Sequence, residues 1–186
     1  MTEFLYFAYG SNILRERLRA SNRCPSAEFV GLAIARGWSL SFHKKSKDGS
    51  GKAMLTRCDD AQSYGVLYKI KGDNERAQLD EAEGTGYIRH DNFAVECAES
   101  KEERICSVYM IKENPIKILD NSTVDKVMIP FCWYKALVIC GARQNKIPDE
   151  YISAIRDVEH QKCANPPSKE LKILKDAGFD NWRELI

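Results

Sequence analysis

The first strong apolar run is "FLYFAY", residues 4–9, and it stops at Gly10-Ser11-Asn12. A short aromatic run closed by a glycine predicts a buried strand. Ser11 or Asn12 then stands where it could cap a short helix over 13–20, with Ile13, Leu14 and Leu18 set among arginines. Residues 27–44 predict one or two strands with a glycine break, and 46–52, "SKDGSGK", a loop. The segments 52–58, 63–70, 87–97 and 103–112 carry the β-branched, aromatic and alternating positions of further strands. Helical spacing appears over 73–83, with Asp73 as the N-cap and Gly84 as the C-cap. It returns at the start of 133–147, and over 148–160 with Pro148 in the first helical position. Ser168 opens a last helix carrying Leu171, Ile173 and Leu174.

Many strands with few long helices between them predict an α+β protein. Its sheet is antiparallel or mixed, and a barrel is one form it could take. The length of 186 residues fits one domain, here 1–160, with 161–186 as a helical appendage. No internal repeat or low-complexity segment interrupts the pattern.

Composition adds mostly exclusions. A formal net charge of +1 advertises neither a nucleic-acid nor a membrane partner. The N-terminus lacks the basic region and cleavage site of a signal peptide, and no run approaches the roughly 20 apolar residues of a membrane span. Seven scattered cysteines, including Cys97, Cys106 and Cys163, with no C-x-x-C pair argue for reduced thiols in the cytoplasm. His43, His90 and His160 have no metal-ligand spacing, so no metal is expected. Nucleotide-binding glycine loops and a serine-hydrolase elbow are absent.

Two features could carry chemistry. In Tyr9-Gly10-Ser11-Asn12, a glycine at a strand end lets a ligand approach the backbone, and the N–H groups that follow suit an anionic oxygen. By pattern alone an ordinary capped turn fits as well. Glu83 stands at a helix end beside Gly84-Thr85-Gly86, where a carboxyl pKa is nudged upward, toward a general base. By pattern alone it could equally be a solvated glutamate beside Asp80 and Glu81.

The combination is more specific. "FLYFAYGSNI", then "LDEAEGTGY", then "WYKALVICGARQNKIPDEY" at 133–151 resemble the gamma-glutamylcyclotransferase family in order over about residues 4–160. That resemblance implies an α+β fold with a small mixed β-barrel or strongly curved sheet flanked by helices. It also implies an intramolecular reaction that releases 5-oxoproline from a γ-glutamyl substrate, with no cofactor. Its substrate loop falls on Tyr6, Phe7, Ala8, Tyr9, Gly10 and Ser11, its catalytic glutamate on Glu83, and a late substrate-contacting tyrosine on Tyr134. A homodimer is suggested by the family only. Ile13 replaces the usual leucine after the loop, and "TGY" is a shorter insert than some members carry, on the leaving-group side. The leaving group (an amino acid, glutathione or an amine) stays open, as does a non-catalytic relative that binds a metabolite or a partner protein.

Overall fold

The computed structural model describes residues 2–111, 128–162 and 166–186; Cys163 and Lys112 lie outside them. Five strands close into a barrel: β1 (Glu3–Ala8), β2 (Glu28–Lys45), β3 (Gly51–Lys71), β4 (Tyr87–Cys97) and β5 (Glu103–Ile111). Their order around the barrel is β1-β3-β2-β4-β5. All neighbours run antiparallel except β1 and β5, which run parallel and close the ring. Closure removes the sheet edges that an open mixed sheet would expose.

The segments 52–58 and 63–70 form one strand, where the polar run between them predicts a break. Arg36 pairs with Gln62 and Trp38 with Arg57, so Gly37 alone faces Cys58–Ala61. The extra residues are absorbed as a bulge, and Gly37, at φ 75°, supplies the backbone turn. The same glycine explains why 27–44 is a single bent strand.

The helices are α1 (Arg15–Leu18), α2 (Asp73–Glu83), α3 (Cys132–Gln144), α4 (Asp149–Asp157) and α5 (Ser168–Asp176). Three predicted caps shift. Gly72 and not Asp73 is the N-cap of α2, Pro148 is the N-cap of α4, and Ser11–Ile13 form a 3-10 turn of their own. No side chain caps α1, which begins after an extended Leu14. Gly84 ends α2 with φ 70°, as expected of a C-cap glycine.

The core runs from the barrel into the helices. Phe7, Val66, Tyr68, Leu79 and Val108 are buried together with Leu137, Ile139 and Ile152. Ile173, Leu174 and Trp182, from the expected appendage, belong to the same buried cluster. Arg17 of α1 pairs with Glu170 of α5. Lys135, fully buried in α3, donates to the carbonyls of Arg156 and Val158, which caps the end of α4 and offsets the cost of burying its charge. His160 stands 3.4 Å from the same ammonium. Cys24, Cys106, Cys132 and Cys140 are buried and free. Among the described residues no helix is long and apolar enough to cross a membrane, and no three His, Cys, Asp or Glu groups converge as a metal site.

Candidate active site

β1 and the turn after it form one wall of a cavity. Tyr68 donates from its hydroxyl to the carbonyl of Ile13 at 2.9 Å, and Asn145 of the α3 end donates to it at 3.0 Å. These bonds pin the turn from the barrel and from α3. Gly10 is needed for closeness, since its φ of −106° suits any residue. A Cβ there would stand 3.0 Å from the Cβ of Ala53 and 3.5 Å from the Tyr134 hydroxyl. Among the described residues, the backbone N–H groups of Gly10 and Ser11 donate to no protein acceptor. The helix that starts there is only the three-residue 3-10 turn Ser11–Ile13, too short to add a helix-terminus field. What these donors offer is their own polarity in a buried turn.

Glu83 is the last residue of α2 and turns its carboxylate into this turn. Asn12 donates from Nδ2 to Glu83 Oε1 at 2.6 Å and to the Tyr6 hydroxyl at 3.1 Å. Arg23 donates to Asn12 Oδ1 at 3.4 Å. This orients the amide with its donors toward the cavity. Burial pushes the Glu83 pKa up, and the charges of Arg23 and Arg17, the Asn12 hydrogen bond and the charge of Lys44 oppose it without cancelling it. The residue as a whole keeps some solvent contact, but its carboxylate is enclosed, which is why burial dominates. The helix end contributes position more than electrostatics.

The remaining wall is a set of tyrosines. Ala53 of β3 donates its N–H to the Tyr134 hydroxyl at 3.1 Å and accepts from the Tyr87 hydroxyl at 2.7 Å. Tyr9 spends its proton on the carbonyl of Tyr109 at 2.6 Å, and Tyr109 spends its own on Asp80 at 2.7 Å. Tyr6 and Tyr134 are recorded only as acceptors in these bonds, so their protons are the ones available inside the cavity. Burial pushes both phenols up, so they stay protonated donors at neutral pH.

The cavity measures about 30 Å³ and is lined by Tyr6, Tyr9, Gly10, Ser11, Asn12 and Glu83 together with Ala53, Tyr87, Tyr109 and Tyr134. Six of the eight sequence-predicted residues meet here. Phe7 and Ala8 do not, because they are buried in the barrel, Phe7 stacked on Phe93 with ring centres 6.1 Å apart. Asn12 was legible as a cap and as the last residue of the Tyr9–Asn12 motif but not as a partner of Glu83, and Ala53, Tyr87, Tyr109 and Arg23 carried no signal of convergence. A wider groove of about 900 Å³ lies between the end of α3 and α4, but its charged residues Arg143, Lys146, Asp149 and Arg156 are exposed. It encloses no buried acid or base, so the small tyrosine cavity is the better candidate for chemistry.

Residues 62–155, half of the chain, match the sequence profile of the AIG2-like family. The chain belongs to the AIG2-like family. The matched span includes Glu83 and Tyr134, while the Tyr9–Asn12 turn precedes it. Longer alignments take in most of the chain. It is 29% identical over 181 residues to the human gamma-glutamylcyclotransferase, covering 94% of this chain and 89% of that one. The bovine gamma-glutamylcyclotransferase is 28% identical with the same coverage. A solved structure described as a gamma-glutamyl cyclotransferase superposes with a TM-score of 0.78 at 28% identity, over 94% of this chain and 99% of that chain. This AIG2-like protein therefore shares both barrel and flanking helices with that structure.

Proposed function

We propose that this AIG2-like protein is a gamma-glutamylcyclotransferase that releases 5-oxoproline and a free amino acid from γ-glutamyl-amino acids. The observation that carries this reading is the enclosed Glu83 carboxylate, held at 2.6 Å by Asn12 against the Gly10-Ser11 turn.

The reaction joins two ends of one molecule. The α-amine of the γ-glutamyl group attacks its own γ-carbonyl, a C–N bond closes the five-membered ring, and the original amide C–N bond breaks. The site must first fold the chain so that nitrogen faces carbon. Holding such a near-attack geometry supplies up to roughly 7–11 kcal/mol in ideal cases. Tyr6 and Tyr134 offer hydroxyl protons to fix the glutamyl head group, and the N–H groups of Gly10 and Ser11 face its negatively charged oxygens.

Glu83 handles the protons. The α-amine is an ammonium at neutral pH and attacks only after losing a proton. An ordinary glutamate, with a pKa near 4.3, is a weak base for that step. The raised pKa of Glu83 brings it closer to the amine, so it takes the proton and returns one to the departing nitrogen.

The test is direct. Purified protein is given γ-glutamyl-alanine, glutathione and γ-glutamyl-lysine in parallel, and 5-oxoproline is measured. Release from γ-glutamyl-alanine that disappears in Glu83→Gln supports the proposal. Release from none of the three overturns it. A cytoplasmic location and a homodimer belong to the same reading, and light scattering at micromolar concentration tests the second.

A further inference from the structure

Two lysines face each other in register near the turn joining β2 and β3: Lys44 opposite Lys52. Each rests its ammonium on a cavity tyrosine. Lys52 Nζ lies 4.6 Å from the centre of the Tyr134 ring, and Lys44 Nζ lies 4.6 Å from that of Tyr87. Their partners differ. Lys52 is bound to Asp48 at 2.9 Å and to the Ser50 hydroxyl at 2.9 Å. Lys44 has neither a carboxylate nor a hydrogen-bond acceptor among the described residues. The other cations close to Glu83 are already engaged, Arg17 with Glu170 and Arg23 with Asn12.

A half-buried ammonium on an aromatic face recovers only part of its lost hydration. Burial lowers the Lys44 pKa, with Glu83 and Asp48 opposing from a distance and Lys47 adding a like charge. The chain also keeps a place open for this side chain. A Cβ on Gly86, one residue before Tyr87, would stand 2.7 Å from Lys44 Cε and 2.8 Å from Nζ. Any side chain at position 86 would push the ammonium off the ring.

We propose that Lys44 binds the carboxylate of the leaving amino acid and so selects γ-glutamyl-amino acids over γ-glutamyl amines, which lack that group. The inference rests on the cyclotransferase reading of the Glu83 cavity. The amide of the substrate separates a glutamyl end, which the Tyr9–Asn12 turn and Glu83 receive, from a leaving end. Tyr87 and Ala53 form another part of the lining, and Lys44, just outside it, is the uncommitted positive charge against the Tyr87 ring.

The experiment compares γ-glutamyl-alanine with γ-glutamyl-ethylamide, which has a leaving group of similar size and no carboxylate. The readout is the ratio of their kcat/KM values, which does not depend on how much of a variant is folded. Lys44→Met is expected to lower that ratio about tenfold, mainly through KM for γ-glutamyl-alanine, as loss of a charge-assisted contact predicts. Lys44→Arg should retain most of it. Gly86→Ala, which keeps the charge and displaces it, should move the ratio in the same direction as Lys44→Met. A ratio unmoved in Lys44→Met overturns the inference and leaves the cyclotransferase reading standing. If the unaltered protein releases 5-oxoproline from neither compound, both fall together.

Discussion

Asp48 and Glu83 are carboxylates in two regions that treat charge in opposite ways. Asp48 sits in the turn between β2 and β3. Burial pushes its pKa up, but bonds from the Ser50 hydroxyl, the Lys52 ammonium and the Ser50 N–H outweigh that and bring it down to about 2. Glu83, in the cavity, has the Asn12 amide as its sole hydrogen-bond donor among the described residues. Its cations stand farther off, and burial wins. The difference is one of compensation. A carboxylate given three close donors is locked as an anion and serves structure. One that is enclosed but given a single amide stays able to take a proton.

The largest expected break in that comparison is Glu83→Gln. It should lower 5-oxoproline release by roughly 10²- to 10⁴-fold, the range for a lost general acid or base. Stability should move the other way. A carboxyl whose folded pKa is raised contributes stability below its unfolded pKa and loses it as pH rises through the folded value. The melting temperature of Glu83→Gln at pH 7 should thus equal or exceed that of the unaltered protein, with the gap closing toward pH 4. Thermal melts at both pH values, beside the activity assay, check this. A Glu83→Gln variant that keeps near-normal turnover would remove Glu83 from the mechanism.

Asn12→Ala comes next, at about ten- to a hundredfold in kcat, since it takes away a hydrogen bond to a charged group. The Asn12 bond holds the Glu83 pKa down, so its loss should shift the acid limb of the pH–rate profile to higher pH. A limb that stays in place would mean that Asn12 only shapes the turn. Gly10→Val should raise KM about tenfold, because its Cβ meets Ala53 at 3.0 Å in a wall with no slack. Calorimetry with a γ-glutamyl ligand measures it, and unchanged affinity would separate the turn from the binding site.

The smallest effect sharpens the other half of the comparison. Asp48→Asn should cost about 0.5–1 kcal/mol at pH 7, a modest figure because the carboxylate is partly exposed and screened. Its pKa is depressed, so the stability it contributes is present above the unfolded value near 3.9 and is lost as pH falls toward about 2. Denaturant titrations at pH 7 and pH 2.5 should show the difference between Asp48→Asn and the unaltered protein shrinking at the lower pH.

Most strands and the long helices were legible because burial on one face imposes a period. The 21-residue β3 was not, since Asp59 and Asp60 make its middle look like a strand end, where residues 58–61 are in fact a bulge accommodated by Gly37 on the neighbouring strand. The same holds within the site. The motif pattern named Tyr6, Tyr9, Gly10, Ser11, Glu83 and Tyr134, which line one cavity, together with Phe7 and Ala8, which strand geometry puts in the core. Asn12 read as a helix cap because local sequence offers it only a helix to cap. Its true partner, Glu83, is 71 residues away.

The sequence by itself determined the strand-rich α+β class, the glycine at the end of β1 and the glutamate at the end of α2, because each follows from local periodicity and backbone preference. Which of these residues share a cavity was decided by barrel closure. Pairing β1 with both β3 and β5 brings the Tyr9–Asn12 turn beside Ala53 and Tyr109, and the packing of α2 and α3 adds Glu83 and Tyr134. The raised pKa of Glu83 is likewise a tertiary property, since it depends on how much water the assembled walls exclude and on which cations they keep at a distance.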